Sequence, residues 1–281
     1  MPAASILAAA TPAAVFQQPY AHMVCDAALP ETDYAQLADA FPDSATILGG
    51  RRGRENSSAR LPAFKVVDNE SIAPAWRDFF AFHTSQAFWN DIVRVFGAAI
   101  RDALPGIEAS AGRPLEQWIA APRGTRDVAD VRLDCQFVIN TPARRASSVK
   151  TQHVDKRNTI LAMLFYFRDP ADRSEGGDFE VYAWRRTPRF LPSRLILPDD
   201  LALQRVVKYA PNTLAAFVNS PQAAHGVSPR GPSELPRRYI NFIVETPFKV
   251  FDVLELGLAE RILYWPKMRK LGLRSLGDEL Y

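Results

Sequence analysis

Close to residue 131 the spacing of apolar residues changes, and that change limits the folds open to this chain. Leu133, Cys135, Phe137 and Ile139 alternate with Arg132, Asp134, Gln136 and Val138. An alternation of two marks a strand, whereas the segments before it repeat at helical spacing. Further strand-like runs follow at 149–155, 160–167, 178–183, 204–209, 213–219, 223–227 and 238–245. Turn signals separate them, among them Asn140-Thr141-Pro142, Ser174-Glu175-Gly176-Gly177, Pro211-Asn212 and Gly231-Pro232. Short strands with no helices between them suit two sheets stacked as a jelly roll. Helices first and strands second predict an α+β fold. Its core is a double-stranded β-helix, with N-terminal helices packed on one face and a C-terminal helix.

Three regions make up one structural domain: an N-terminal helical region over 1–125, the core over 126–250 and a helical tail over 251–281. Residues 1–16 are Ala-rich, lack a basic leader and are expected to form a loose tail. A short strand entering a turn is expected over 19–30. A helix comes next over 31–41, with Tyr34, Leu37, Ala38 and Phe41 on one face, stopped by Pro42. Residues 43–60, with Gly49-Gly50-Arg51-Arg52-Gly53-Arg54, read as an exposed loop. Helices are expected over 71–83 and 85–103, the second capped by Ser85 and striped by Phe88, Ile92, Val95, Phe96 and Ala99. In the tail, Leu254, Leu258, Ile262 and Trp265 repeat at helical spacing until Pro266 breaks the run, before Lys267-Met268-Arg269-Lys270 and Arg274. This segment is expected to dock on the sheet rather than to lie on a membrane surface.

The 281 residues carry a formal charge of +3, too little to argue for a nucleic-acid partner. Two cysteines, Cys25 and Cys135, are too few for a disulfide framework and suggest a reducing, cytoplasmic setting. No apolar run is long enough for a membrane span.

Chemistry concentrates in Thr151-Gln152-His153-Val154-Asp155 and in His225. On a strand, His153 and Asp155 leave the same face. With His225 they make a set of two imidazoles and one carboxylate, which suits a non-haem Fe(II) that keeps open positions. Taken alone, H-x-D is more often what two unrelated polar positions give. Of the other histidines, His22 and His83 read as ordinary structural residues.

The ordered set is more specific. His153-x-Asp155 is followed by Tyr166 in a hydrophobic strand, Gly176-Gly177-Asp178-Phe179, Ala224-His225-Gly226-Val227 and Arg238-Tyr239-Ile240. This run, over about 136–245, resembles the Fe(II)/2-oxoglutarate-dependent oxygenases, and within them the prolyl-4-hydroxylase-like group. The opening Pro19-Tyr20-Ala21-His22-Met23-Val24 also looks like the lead-in helix of bacterial members. The resemblance implies Fe(II) held by His153, Asp155 and His225, with 2-oxoglutarate and O2 as co-substrates. It implies hydroxylation of an unactivated C–H with release of succinate and CO2. Related halogenases have a small residue where Asp155 stands.

An arginine is needed as a planar clamp for the distal carboxylate of the keto acid. Arg238 is in phase with Ile240, Phe242 and Val244, taken as the interior face, so it is preferred to Arg237. The resemblance places Tyr166 on the same carboxylate. Gln136 is expected to reach the co-substrate or the substrate. Two basic loops, 141–150 with Arg144 and Arg145 and 184–201 with Arg186, suggest a small anionic substrate. Alternatives are a non-catalytic jelly-roll binding module and a zinc hydrolase of cupin type.

Overall fold

The computed structural model of the chain describes residues 5–191 and 194–270. In the helical half the elements are β1 (His22–Cys25), α1 (Glu31–Asp39), α2 (Ser44–Leu48), β2 (Ser58–Pro62), α3 (Pro74–His83), α4 (Gln86–Ala103), α5 (Ile107–Ala111) and β3 (Ala120–Pro122). The β half continues with β4 (Val131–Asn140), β5 (Thr159–Tyr166), β6 (Phe179–Trp184), β7 (Leu201–Val207), β8 (Leu214–Val218), β9 (His225–Val227) and β10 (Arg237–Glu245), before α6 (Leu258–Lys270).

Among the described residues the strands form two sheets. The larger has seven strands in the order β1-β8-β5-β10-β4-β2, with β3 parallel to β4, and the smaller runs β7-β6-β9. The larger sheet is buried on both faces. Leu133, Cys135, Phe137, Leu161, Met163, Phe165, Ile240, Phe242 and Val244 pack against Trp76, Phe79, Phe80, Phe88, Ile92 and Phe96 of α3 and α4. Its opposite face brings Val138, Ala162, Tyr166 and Tyr239 against Phe179, Val181 and Val207 of the smaller sheet. This is the expected jelly roll, with helices on one outer face. Burying each such large side chain contributes about 1.5–3 kcal/mol. Trp76 and Trp89 also place their indole N–H groups on the Leu37 and Leu115 carbonyls, at 3.0 and 3.1 Å.

Several expectations are corrected. The N-terminal half is not only helical: β1 and β2 extend the edges of the larger sheet and β3 joins β4. The segment around Pro19–Val24 accordingly holds a strand, not a lead-in helix, and 43–60 contains α2 and the start of β2. Residues 5–16 are not loose, because Ile6 and Leu7 are buried. Ile6 N–H donates to His83 Nε2 at 3.2 Å, and Arg94 holds the Leu7 carbonyl at 2.8 Å. Ser85 stands at the N-cap of α4, but its hydroxyl donates back to the Phe82 carbonyl at 2.7 Å instead of capping. α6 runs through Pro266 to Lys270, so the missing N–H costs one helical bond without ending the helix. Arg274 lies outside the described residues. The expected strand over 149–155 is reduced to bridges at His153, one to His225 and one to Leu195. The segment therefore occupies the position of a fourth strand beside β9 while keeping an irregular backbone.

Candidate metal centre

His153, Asp155 and His225 come together, with one ligand atom from each lying within 4.8 Å of the others. Paired backbone bonds across the bridge, His153 N–H to His225 O at 2.9 Å and the reverse at 3.0 Å, lock the two histidines side by side. Each imidazole uses Nδ1 on a carbonyl two residues upstream, Thr151 at 2.7 Å and Ala223 at 2.9 Å. Donating Nδ1–H in this way leaves the Nε2 lone pair free for a metal. Both Nε2 atoms face Asp155 Oδ1, at 3.4 Å from His153 and 3.9 Å from His225. His153 Nε2 is buried and has no hydrogen-bond partner among the described residues. Such an atom calls for an explanation, and a cation between the three donors supplies one.

The protonation states suit that role. Burial, with the Lys150 ammonium and His225 nearby, pushes His153 down to about 3 against the pull of Asp155. Burial also lowers His225, although Asp155 opposes it. For Asp155, burial acts to raise the carboxyl, but Lys150 and the two histidines outweigh it and hold it well below the usual range. The donors are thus two neutral imidazoles and a carboxylate, the forms that bind metal. Asn219, fully buried, fixes the acidic arm. Its Oδ1 accepts from Asp155 N–H at 3.2 Å, and its Nδ2 donates to the carbonyls of Lys156 at 2.9 Å and Thr159 at 3.0 Å.

The phase expected of β10 is reversed. Arg237, 1% exposed, lies on the interior face, and Arg238 lies on the helix side. There Arg238 pairs with Asp169 at 3.3 Å, donates to the Phe167 carbonyl at 3.1 Å and covers the Phe41 ring at 5.3 Å. Ile240, Phe242 and Val244 are indeed buried, but under the helices rather than in the pocket. The rings of Tyr166, Tyr209 and Tyr239 surround the Arg237 guanidinium at 4.9, 5.0 and 4.6 Å. Its Nε donates to the Gly177 carbonyl at 2.7 Å and its Nη1 to Asn140 Oδ1 at 3.2 Å. Nη2 has no partner, and Arg237 makes no ion pair, among the described residues.

Gly176 and Gly177 build the wall beside it, at φ +74° and +72°. A Cβ on Gly176 would meet the Pro229 carbonyl oxygen at 1.9 Å, and one on Gly177 would meet Arg237 Cδ at 3.2 Å. Only glycine permits both the turn and the close approach.

Tyr166 is fully buried, its hydroxyl has no partner among the described residues, and burial raises its ionisation well above the ordinary value against the pull of Arg237. Gln136 sits on the same interior face in register with Asn241, its Nε2 donating to Asp134 at 2.6 Å and its Oε1 unpartnered. Of the proposed substrate arginines, Arg144 and Arg145 are exposed and Arg186 pairs with Asp200 at 2.7 Å. Among the described residues no contact brings any of the three to the triad. Sequence reasoning missed Tyr20, whose hydroxyl is buried, has no partner among the described residues and lies within the field of Asp155, and it missed Asn219. No sequence motif marks them, since each reaches the centre only through the fold.

No protein-family profile and no curated protein matches the chain. Solved structures that resemble it include a prolyl-4-hydroxylase from Pseudomonas putida, 12% identical over 81% of this chain and 93% of that one, with a TM-score of 0.44. A putative oxygenase from Shewanella oneidensis is 13% identical over 90% of each chain, at 0.46. A dioxygenase for auxin oxidation from rice is 13% identical over 80% of this chain and 74% of that one, at 0.44.

Proposed function

We propose that the protein is an Fe(II)- and 2-oxoglutarate-dependent oxygenase that hydroxylates an unactivated C–H of a small anionic substrate. The observation that carries this reading is Arg237, a buried guanidinium with no ion pair among the described residues, on the face of the larger sheet that packs against the smaller sheet, whose strand β9 carries His225. A buried charge is tolerated only with a counter-charge. A keto diacid answers both demands, one end for a metal and the other for an arginine. A zinc hydrolase or a simple binding module gives no reason for both.

His153, Asp155 and His225 would hold the iron, leaving positions for other ligands. The bound metal supplies activation of oxygen, coupled to oxidative decarboxylation of the keto acid. Arg237 and Tyr166 bind and orient the distal carboxylate, the arginine through its free Nη2 and the tyrosine through its free hydroxyl. Phe179, Phe217 and Val181 exclude water around His225, with the Phe217 ring 4.3 Å and the Phe179 ring 5.6 Å from its imidazole. Asp155 stays ionised and the imidazoles neutral throughout. Overall, substrate C–H, 2-oxoglutarate and O2 give substrate C–OH, succinate and CO2, one oxygen atom entering each organic product.

The test is release of labelled CO2 from 2-oxo[1-14C]glutarate by the Fe(II)-loaded protein in air, with equal succinate. Slow release without added substrate is expected and should vanish in His153→Ala. Release that persists in that variant, or none in either protein at any metal concentration, refutes the proposal.

A further inference from the structure

Two further polar atoms lie buried at the β1 edge of the larger sheet. Tyr20 is 4% exposed and His22 3%, and neither the Tyr20 hydroxyl nor His22 Nε2 has a hydrogen-bond partner among the described residues. Strand pairing places them. His22 stands opposite Phe217 across β1 and β8, and Val218 N–H donates to the Ala21 carbonyl at 2.9 Å. The same register, carried one step further, sets Tyr20 opposite Asn219, the residue that fixes the Asp155 arm. Tyr20, His22 and Phe217 share one face of the sheet, the face that meets the smaller sheet. Ring contacts join this corner to the triad. The Tyr20 and His22 rings are 5.7 Å apart, Tyr20 meets Phe217 at 6.3 Å, and Phe217 meets His225 at 4.3 Å. Asp155 lies near enough for its charge to act on the Tyr20 hydroxyl. Phe16 stacks on His22 at 5.3 Å, and Arg205 of β7 lies over the Phe16 ring at 3.9 Å, which joins the two sheets at this edge.

Buried polar atoms left unpaired cost free energy and are rare in native structures. The distal carboxylate gripped by Arg237 is not the partner of these two. In the order β1-β8-β5-β10, β1 is three strand spacings from β10, about 14 Å. The chemistry of the pair says what is. His22 Nδ1 donates to the Tyr20 carbonyl at 2.8 Å, so Nε2 keeps a bare lone pair. Burial, with a smaller push from Arg205, lowers the proton affinity of the ring against the pull of that carbonyl. Neutral Nε2 can only accept, whereas the phenol both donates and accepts. A carboxylate or phosphate has no proton to give Nε2. An ammonium does, but Arg205 and a metal dication on the triad oppose a cation there. A hydroxyl accepts from Tyr20 and donates to His22, and so satisfies both.

We propose that Tyr20 and His22 form a subsite for a hydroxyl group of the substrate, beside the metal and three strands away from Arg237. This rests on the oxygenase reading of the triad. The hydroxyl held there fixes the substrate so that a neighbouring C–H faces the metal. A small molecule already bearing an alcohol, of the hydroxy-acid or sugar-acid kind, is the class that fits.

The test uses the full chain loaded with Mn(II) and 2-oxoglutarate in the absence of oxygen. 1-Propanol, its isomer ethyl methyl ether and 1-aminopropane are titrated and followed by the paramagnetic relaxation that Mn(II) imposes on their protons. Saturable binding of 1-propanol is expected, about tenfold or more tighter than the ether, which has no proton to donate. Tyr20→Phe and His22→Phe keep an aromatic ring, and each should weaken 1-propanol about tenfold or more, leaving Mn(II) and 2-oxoglutarate affinities within about twofold. Without probes, both variants should unfold at the parent Tm or above it, since neither loses a protein partner. Absence of 1-propanol binding overturns the inference, as does equal binding of alcohol and ether or of parent and variants. Preferred binding of 1-aminopropane overturns the hydroxyl assignment. A lower Tm in both variants with no preference among the probes assigns the pair to a structural water and also overturns it. If Mn(II) and 2-oxoglutarate do not bind at all, the oxygenase reading itself has failed, and this inference with it.

Discussion

Arg237 and Arg238 are adjacent, yet their substitutions should have opposite consequences. Arg237 offers a buried, unpartnered Nη2, held in place by bonds to Gly177 and Asn140. A hydrogen bond to a charged group contributes about 1.5–3 kcal/mol, and a buried charge stripped of its partner costs about 3–5 kcal/mol. Arg237→Gln should therefore weaken 2-oxoglutarate binding about 100-fold or more, at about 1.4 kcal/mol per factor of ten. Arg237→Lys keeps the charge but loses the planar fork, and about 10- to 100-fold is expected. Tyr166→Phe removes one further donor, for about tenfold. Arg238→Gln loses a partly exposed pair with Asp169 and should change stability by about 1 kcal/mol or less, with affinity unchanged. Calorimetric titration of 2-oxoglutarate into the oxygen-free, Mn(II)-loaded protein reads all four. If Arg238→Gln weakens binding while Arg237→Gln does not, the assignment of the interior face is wrong.

Other outcomes depend on single contacts. Asn219→Ala leaves the Asp155 N–H and two carbonyls unpaired, so a loss of about 2–3 kcal/mol in urea unfolding and weaker metal binding are expected; unchanged metal affinity would exclude a positioning role. Gly176→Ala combines positive φ with a clash against Pro229 and should cost about 3 kcal/mol or more, measurable as a fall in Tm or in soluble yield. His83 is held down to about 3 by burial, against 6.5 unfolded, so the unfolded chain binds the extra proton between these values. Its contribution is whole above pH 6.5 and is lost as pH falls toward 3, about 2 kcal/mol of it between pH 7 and 5. His83→Gln should flatten the urea-derived stability profile over that interval by the same amount; an unaltered slope would show that His83 titrates normally.

Most of the architecture was legible because each layer has its own period. The stripes of α1 and α4 and the alternation in β4 mark a helical layer over a sheet. The grouping of His153, Asp155 and His225 was legible from the H-x-D spacing and the order of the motifs that follow it. The phase of β10 was not, for a physical reason: β10 is buried on both faces, and its most apolar side meets the helices rather than the smaller sheet. Apolarity marks burial but does not say beneath which layer. The strand expected at 149–155 failed because its pairing is confined to His153, and the donors are aimed by Asn219 and by bridges rather than by a continuous ladder. Arg60 lay within what looked like a loop, and its place on the face of the larger sheet shared with Val138 depends on β2 pairing with β4. Residues 5–16 looked unstructured because a few apolar residues suffice when a formed groove, here lined by His83 and Arg94, receives them.

The central claim is that one ferrous ion, held by His153, Asp155 and His225, accepts a keto acid in its remaining positions. Visible absorption of the oxygen-free Fe(II) protein during titration with 2-oxoglutarate addresses it directly. A weak metal-to-ligand band that saturates at one equivalent, and is absent from His225→Ala, is the predicted result. A wild-type protein that binds Fe(II) yet shows no band at saturating 2-oxoglutarate would contradict the account.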